Sequence, residues 1–106
     1  MQSKIEALKS ILSSLDIPVA YNHFNVETKL PYICFLEDTS DNTFADNKVY
    51  YENSIIMIEL YTEYKNMALE NSLKTLLNNN EIPYEKTMET YMDDERMYEV
   101  VYTILL

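Results

Sequence analysis

Val49-Tyr50-Tyr51-Glu52-Asn53-Ser54-Ile55-Ile56-Met57-Ile58-Glu59-Leu60-Tyr61-Thr62 is the longest strand candidate in the chain of 106 residues. Side chains of a strand alternate between two faces. Ile56, Ile58 and Leu60 therefore share one wholly apolar face, while Ile55, Met57, Glu59 and Tyr61 share the other. The mixed second face predicts partial exposure, or burial against another chain.

Toward the N-terminus, the polar loop Asp38 to Lys48 separates this strand from Leu30-Pro31-Tyr32-Ile33-Cys34-Phe35-Leu36. That run is β-rich, with proline at its start, where a missing amide is tolerated. Val19-Ala20-Tyr21 reads as a short strand. Before it, Ile5, Leu8, Ile11, Leu12 and Leu15 recur at three- and four-residue steps, predicting a helix from about Lys4 to Leu15. Ser3 and Glu6 have capping-box spacing at its start, and Asp16-Ile17-Pro18 ends it, because proline disfavours helical geometry in the residue before it.

Toward the C-terminus, Asn66 is a helix cap. Leu69, Leu73, Leu76 and Leu77 form the stripe of a second helix, which Asn78-Asn79-Asn80 terminates. Two β runs follow, Tyr84 to Met92 and Arg96 to Leu106, joined by Asp93-Asp94-Glu95 as a hairpin. On the last strand Tyr98, Val100, Tyr102 and Ile104 form the core face. The expected fold is therefore α+β, two helices packed on one mainly antiparallel sheet in the order α-β-β-β-α-β-β. Leu8-Lys9-Ser10-Ile11-Leu12 is echoed by Leu73-Lys74-Thr75-Leu76-Leu77, and each is followed by an acidic-Ile-Pro step. Two amphipathic helices leading into strands account for the echo more simply than a duplicated unit.

With 47% apolar residues and 12% aromatics, the chain has material for one core and reads as a single domain over residues 1–106. Eighteen acidic against eight basic residues give a net charge of −10. That balance opposes nucleic acid and anionic lipid as main ligands, since phosphate binding needs a basic footprint. No stretch is long and apolar enough to span a bilayer, and the N-terminus lacks the apolar core of a signal peptide, so a cytoplasmic location is expected. Glycine is absent altogether, which excludes Gly-rich phosphate loops.

Catalytic and metal readings fare poorly. A calcium loop at Asp38 fails where Thr43 replaces the turn glycine and Val49 the closing glutamate. His23 has no second histidine to complete a metal site. Cys34, the only cysteine, sits inside an apolar strand, where burial as a small hydrophobe with a raised thiol pKa is expected. Glu37-Asp38 and Asp93-Asp94-Glu95 read as solvated strand ends. No catalytic residue, cofactor or metal is expected, and the chain is not expected to be an enzyme. Ten tyrosines, nearly all in or beside strands, exceed what a small core hides and predict a protein–protein contact.

The order and size of these elements resemble the tail-terminator and tail-completion proteins at the neck of long-tailed bacteriophages and prophages. The similar features are the opening helix, Leu30-Pro31-Tyr32-Ile33 entering a strand, the polar loop, and the long strand ending Ile58-Glu59-Leu60-Tyr61-Thr62. A second helix and a closing hairpin with Tyr98-Glu99-Val100-Val101-Tyr102 complete the likeness. The resemblance implies a structural virion protein forming a homo-oligomeric ring, a hexamer in the assembled particle. Such a ring caps the tail tube and joins it to the head-side connector, so its partners are itself, the tube protein and the connector protein. DNA passes through without being specifically bound, and no membrane is involved. Localisation would be the virion, with the host cytoplasm during assembly.

On that resemblance, contacts are expected at Asp38, Asp41, Asp46, Lys48 and Tyr50 around the polar loop. Tyr61 on the long strand and Asp93, Asp94, Glu95 and Arg96 at the hairpin turn complete the set. Lys48, Lys65, Lys74, Lys86 and Arg96 are the cations expected to offset repulsion between subunits. The rival reading is a small acidic inhibitor or immunity-type module covering a basic protein surface.

Overall fold

A computed structural model describes residues 4–38 and 54–106. The elements are α1 (Lys4–Ser13), β1 (Val19–Tyr21), β2 (Tyr32–Glu37), β3 (Ile55–Thr62), α2 (Met67–Asn79), β4 (Tyr84–Met92) and β5 (Met97–Leu105). Their order is the one expected, and the architecture is α+β. Ser3, Asp41, Asp46, Lys48 and Tyr50, with the first part of the expected long strand, lie outside the described residues.

The five strands form one sheet in the order β1-β2-β3-β5-β4. β1 runs parallel to β2, and every other neighbouring pair is antiparallel. Ile33 and Phe35 from β2, Ile56, Ile58 and Leu60 from β3, and Val100, Tyr102 and Ile104 from β5 are buried on one face. Leu8 and Leu12 of α1 and Leu73 and Leu77 of α2 are buried in the same cluster. Both helices thus cover one face of the sheet. Burying each of these leucines stabilises the fold by roughly 1.5–3 kcal/mol.

The helix exits carry the acidic-Ile-Pro echo, and they explain how a chain without glycine turns corners. Asp16 (φ 67°) and Glu81 (φ 57°) both take the left-handed conformation just after their helices. At α2 the Glu81 amide donates to the Asn78 carbonyl at 3.0 Å and the Ile82 amide to the Leu77 carbonyl at 2.9 Å. These are the paired bonds of a Schellman exit, with Ile82 buried over Leu77 as the motif requires. The first helix ends at Ser13, two residues short of the expected Leu15, and the chain turns through Ser14 to Asp16. The echo stops at these exits: β1–β2 is parallel whereas β4–β5 is an antiparallel hairpin, so the two units pair their strands differently.

The hairpin turn also departs from expectation. Arg96 (φ 55°) belongs to the turn rather than to the last strand, closing a four-residue connection between the paired Met92 and Met97. The other end of α2 is as expected: the Asn66 side chain accepts from the Leu69 amide at 3.0 Å.

Candidate functional site

No helix among the described residues covers the second face of the sheet. Alternation places Tyr32, Cys34 and Leu36 from β2 there, with Ile55, Met57, Glu59 and Tyr61 from β3. β5 contributes Met97, Glu99, Val101 and Thr103. Leu36, Met57, Glu59 and Tyr61 are half-buried, and Ile55 is exposed. Cys34, Glu99 and Val101 are nonetheless buried, at 6%, 8% and 2% exposure.

A carboxylate pair bridged by a tyrosine sits in the middle of this face. Cross-strand pairing sets Tyr61 directly opposite Glu99, and the two-residue step along β3 sets Glu59 beside Tyr61. The Tyr61 hydroxyl lies 3.0 Å from Glu59 Oε1 and 3.0 Å from Glu99 Oε2. Burial and then the Glu59 and Glu99 charges push the Tyr61 hydroxyl well above its ordinary range, so it remains a donor. Burial raises the Glu59 carboxyl. Its hydrogen bond from Tyr61 works against that, and the Glu99 charge adds to it. Burial, reinforced by Glu59, raises the Cys34 thiol as well. That favours the thiol over the nucleophilic thiolate.

Beside this triad lies a shallow groove of about 380 Å³, walled by Phe24, Tyr32, Tyr61 and Met97 and reached by His23, Val26 and Glu27. Phe24 meets Tyr32 edge-on at 5.2 Å between ring centroids, and Tyr32 meets Tyr61 at 5.3 Å. His23 and Cys34 both border the groove, yet they form no pair: His23 Nε2 is 3.2 Å from Asn25 Oδ1 instead. Among the described residues no three of His, Cys, Asp and Glu converge to hold a metal ion, and no helix is long and apolar enough to cross a membrane.

A second charged cluster lies on the helix side. Glu70, buried on α2, places Oε2 2.9 Å from Lys65 Nζ and Oε1 3.6 Å from Lys86 Nζ. Oε2 lies off the hydrogen-bonding direction, but the ammonium so close by compensates its charge. Lys65 also meets Glu89 at 3.0 Å, and Lys86 pairs with Glu89 along β4. The Tyr102 hydroxyl donates to Glu70 at 3.3 Å and the Tyr98 hydroxyl donates to Glu89. Lys86, Tyr98 and Lys65, in that order, hold the Glu89 carboxyl below the usual range. Lys65 and Lys86, expected to offset charge between subunits, are thus engaged within their own chain.

Of the expected contact residues described, Tyr61 enters the carboxylate–tyrosine triad. Asp38 follows β2, where its amide donates to the Ile55 carbonyl at 2.8 Å. Asp93, Asp94, Glu95 and Arg96 are exposed in the hairpin turn at the opposite end of the sheet. The length of β3, roughly 25 Å, separates Asp38 from these turn residues. Glu59 and Glu99 were not among the expected residues. Their signal was present, since each is a lone carboxylate at a strand position flanked by apolar neighbours.

Comparison of the chain with protein-family models, with curated proteins and with solved structures returns no match in any of the three.

Proposed function

We propose that the chain is a structural protein of the tail-neck type, assembling through its uncovered sheet face into a ring that caps a tail tube and meets a head-side connector. One observation carries this reading: among the described residues, both helices pack on one face of the sheet and none on the other. The other face offers half-buried Leu36 and Met57 and exposed Ile55 and Met88 to a partner. Apolar surface of this kind gains free energy when a neighbouring subunit removes it from water. The nine-residue strand β4 adds an exposed sheet edge, a second means of contact between copies. Its acidity suits passage of DNA, because a negative lumen repels phosphates and does not hold them. Six copies at −10 each carry −60, so contacts between subunits must rely on apolar area and hydrogen bonds. In this role the protein does no catalysis; it resides in the virion, after assembly in the host cytoplasm.

Native mass measured across a concentration range, with negative-stain imaging in the presence of tail tubes, tests this. Six-fold rings, free or seated on tube ends, are the expected result. A strict monomer that ignores tail tubes overturns it. A one-to-one complex with a basic protein would instead identify an acidic inhibitor.

A further inference from the structure

Among the described residues, the two buried glutamates are treated differently. Glu70 has two lysines within 4 Å, whereas Glu99 and its neighbour Glu59 have none. What Glu59 and Glu99 have is one tyrosine hydroxyl, 3.0 Å from an oxygen of each. A hydroxyl carries a single hydrogen and can donate it to only one of them. If both carboxylates are ionised, the other oxygen faces the hydroxyl lone pairs with no hydrogen between. One added proton resolves this: a neutral carboxyl donates to the Tyr61 oxygen, and Tyr61 donates to the remaining carboxylate. The two oxygens are also no more than about 6 Å apart, the range in which like charges oppose joint ionisation.

We propose that Glu59 and Glu99 share one proton across the Tyr61 hydroxyl, which keeps its own, and that loss of the shared proton is a pH-sensitive brake on assembly through the face that no described helix covers. The second half rests on the assembly reading above. A subunit covering the face removes the water that still reaches half-buried Glu59 beside the already buried Glu99, which raises the cost of the doubly ionised form and leaves the singly protonated form favoured. Assembly therefore takes up a proton, and above the midpoint of the pair the association constant falls by up to tenfold per pH unit.

The surroundings leave the triad to set this response. β2 places Cys34 opposite Glu59 and Tyr32 opposite Tyr61, and β4 places Thr90 opposite Glu99. His23 and Glu27 border the groove beyond Tyr61. Among the described residues, no lysine, arginine or histidine forms an ion pair with Glu59 or Glu99.

Carboxyl-carbon NMR titration of the full chain tests the shared proton. One of the two glutamates should ionise above the ordinary glutamate range, and Glu99→Gln should lower the midpoint of Glu59. Ionisation of both within the ordinary range, unchanged by Glu99→Gln, overturns the proposal. Should Glu99→Gln fail to fold, Glu59→Gln and Tyr61→Phe serve the same comparison.

Native mass against pH tests the brake. The wild type should associate more weakly as pH rises through the midpoint, and Glu59→Gln or Glu99→Gln should remove that inflection. Glu85→Gln removes one exposed charge from the same side of the sheet and should keep it. A raised midpoint with pH-independent association overturns the brake alone. A protein that stays monomeric at every pH and ignores tail tubes overturns the assembly reading and the brake together, while the titration still decides the shared proton.

Discussion

Lys86 and Glu89 point to the same face of β4 although three residues apart, because the strand slips register between them. Lys86 opposes Tyr102 and Glu89 opposes Val100, both on the core face of β5, while Met88 opposes Val101 on the other face. In a regular strand an odd separation would put the two side chains on opposite faces. The bulge at Thr87 restores them to one side. Together with Lys65 they close a ring of charge around the buried Glu70.

That ring is asymmetric in burial, and its mutants should be too. The side chains of Lys65 and Lys86 are more than a third exposed, whereas that of Glu70 is 5% exposed. Lysines freed by Glu70→Met regain water, so the change should cost only about 1 kcal/mol, mostly from the buried Tyr102 hydroxyl that loses its acceptor. Lys65→Met leaves a buried carboxylate with one distant cation and should cost on the order of 2 kcal/mol. The Lys65→Met/Lys86→Met double variant should be the least stable of the three. Urea unfolding midpoints read this order directly.

The left-handed helix exits predict stabilising substitutions. Asp16 and Glu81 are exposed, so replacing either with glycine sacrifices no packing. A left-handed residue with a side chain costs about 1–2 kcal/mol, part of which glycine returns as unfolded-state entropy. Glu81→Gly should therefore raise stability by roughly 0.5–1 kcal/mol, and Glu81→Val should lower it. Thermal melting of the two variants gives the comparison.

Truncation should distinguish the two faces of the sheet. Leu77→Ala, in the covered core, should cost about 2–5 kcal/mol. Met57→Ala, half-buried on the uncovered face, should cost the monomer about 1 kcal/mol or less. The same Met57→Ala should weaken self-association measured by native mass. Equal losses of stability in both variants would mean that the second face is core as well.

Stability should be greatest at mildly acidic pH, for two opposed reasons. The Glu89 carboxyl is held low by Lys86, Tyr98 and Lys65, so its contribution is present above its unfolded value and is lost as pH falls through its folded value. Glu59 is raised by burial, so its contribution is present while it is protonated. That contribution is lost as pH rises from its unfolded value through its folded one. Urea midpoints against pH should show both limbs. Glu59→Gln should flatten the alkaline limb and Glu89→Gln the acidic one.

The sequence by itself determined the elements and the covered face. Ile56, Ile58 and Leu60 alternate, and Leu69, Leu73, Leu76 and Leu77 recur at helical steps. Those periods follow from backbone geometry within a few residues. Only the tertiary structure decided the rest. Glu59 and Glu99 are forty residues apart along the chain, and the β3–β5 register brings both to one tyrosine hydroxyl. The bulge that aims Lys86 and Glu89 at Glu70 likewise depends on pairing with β5. Strand pairing joins residues remote in sequence, and no local periodicity records which residues will stand opposite one another.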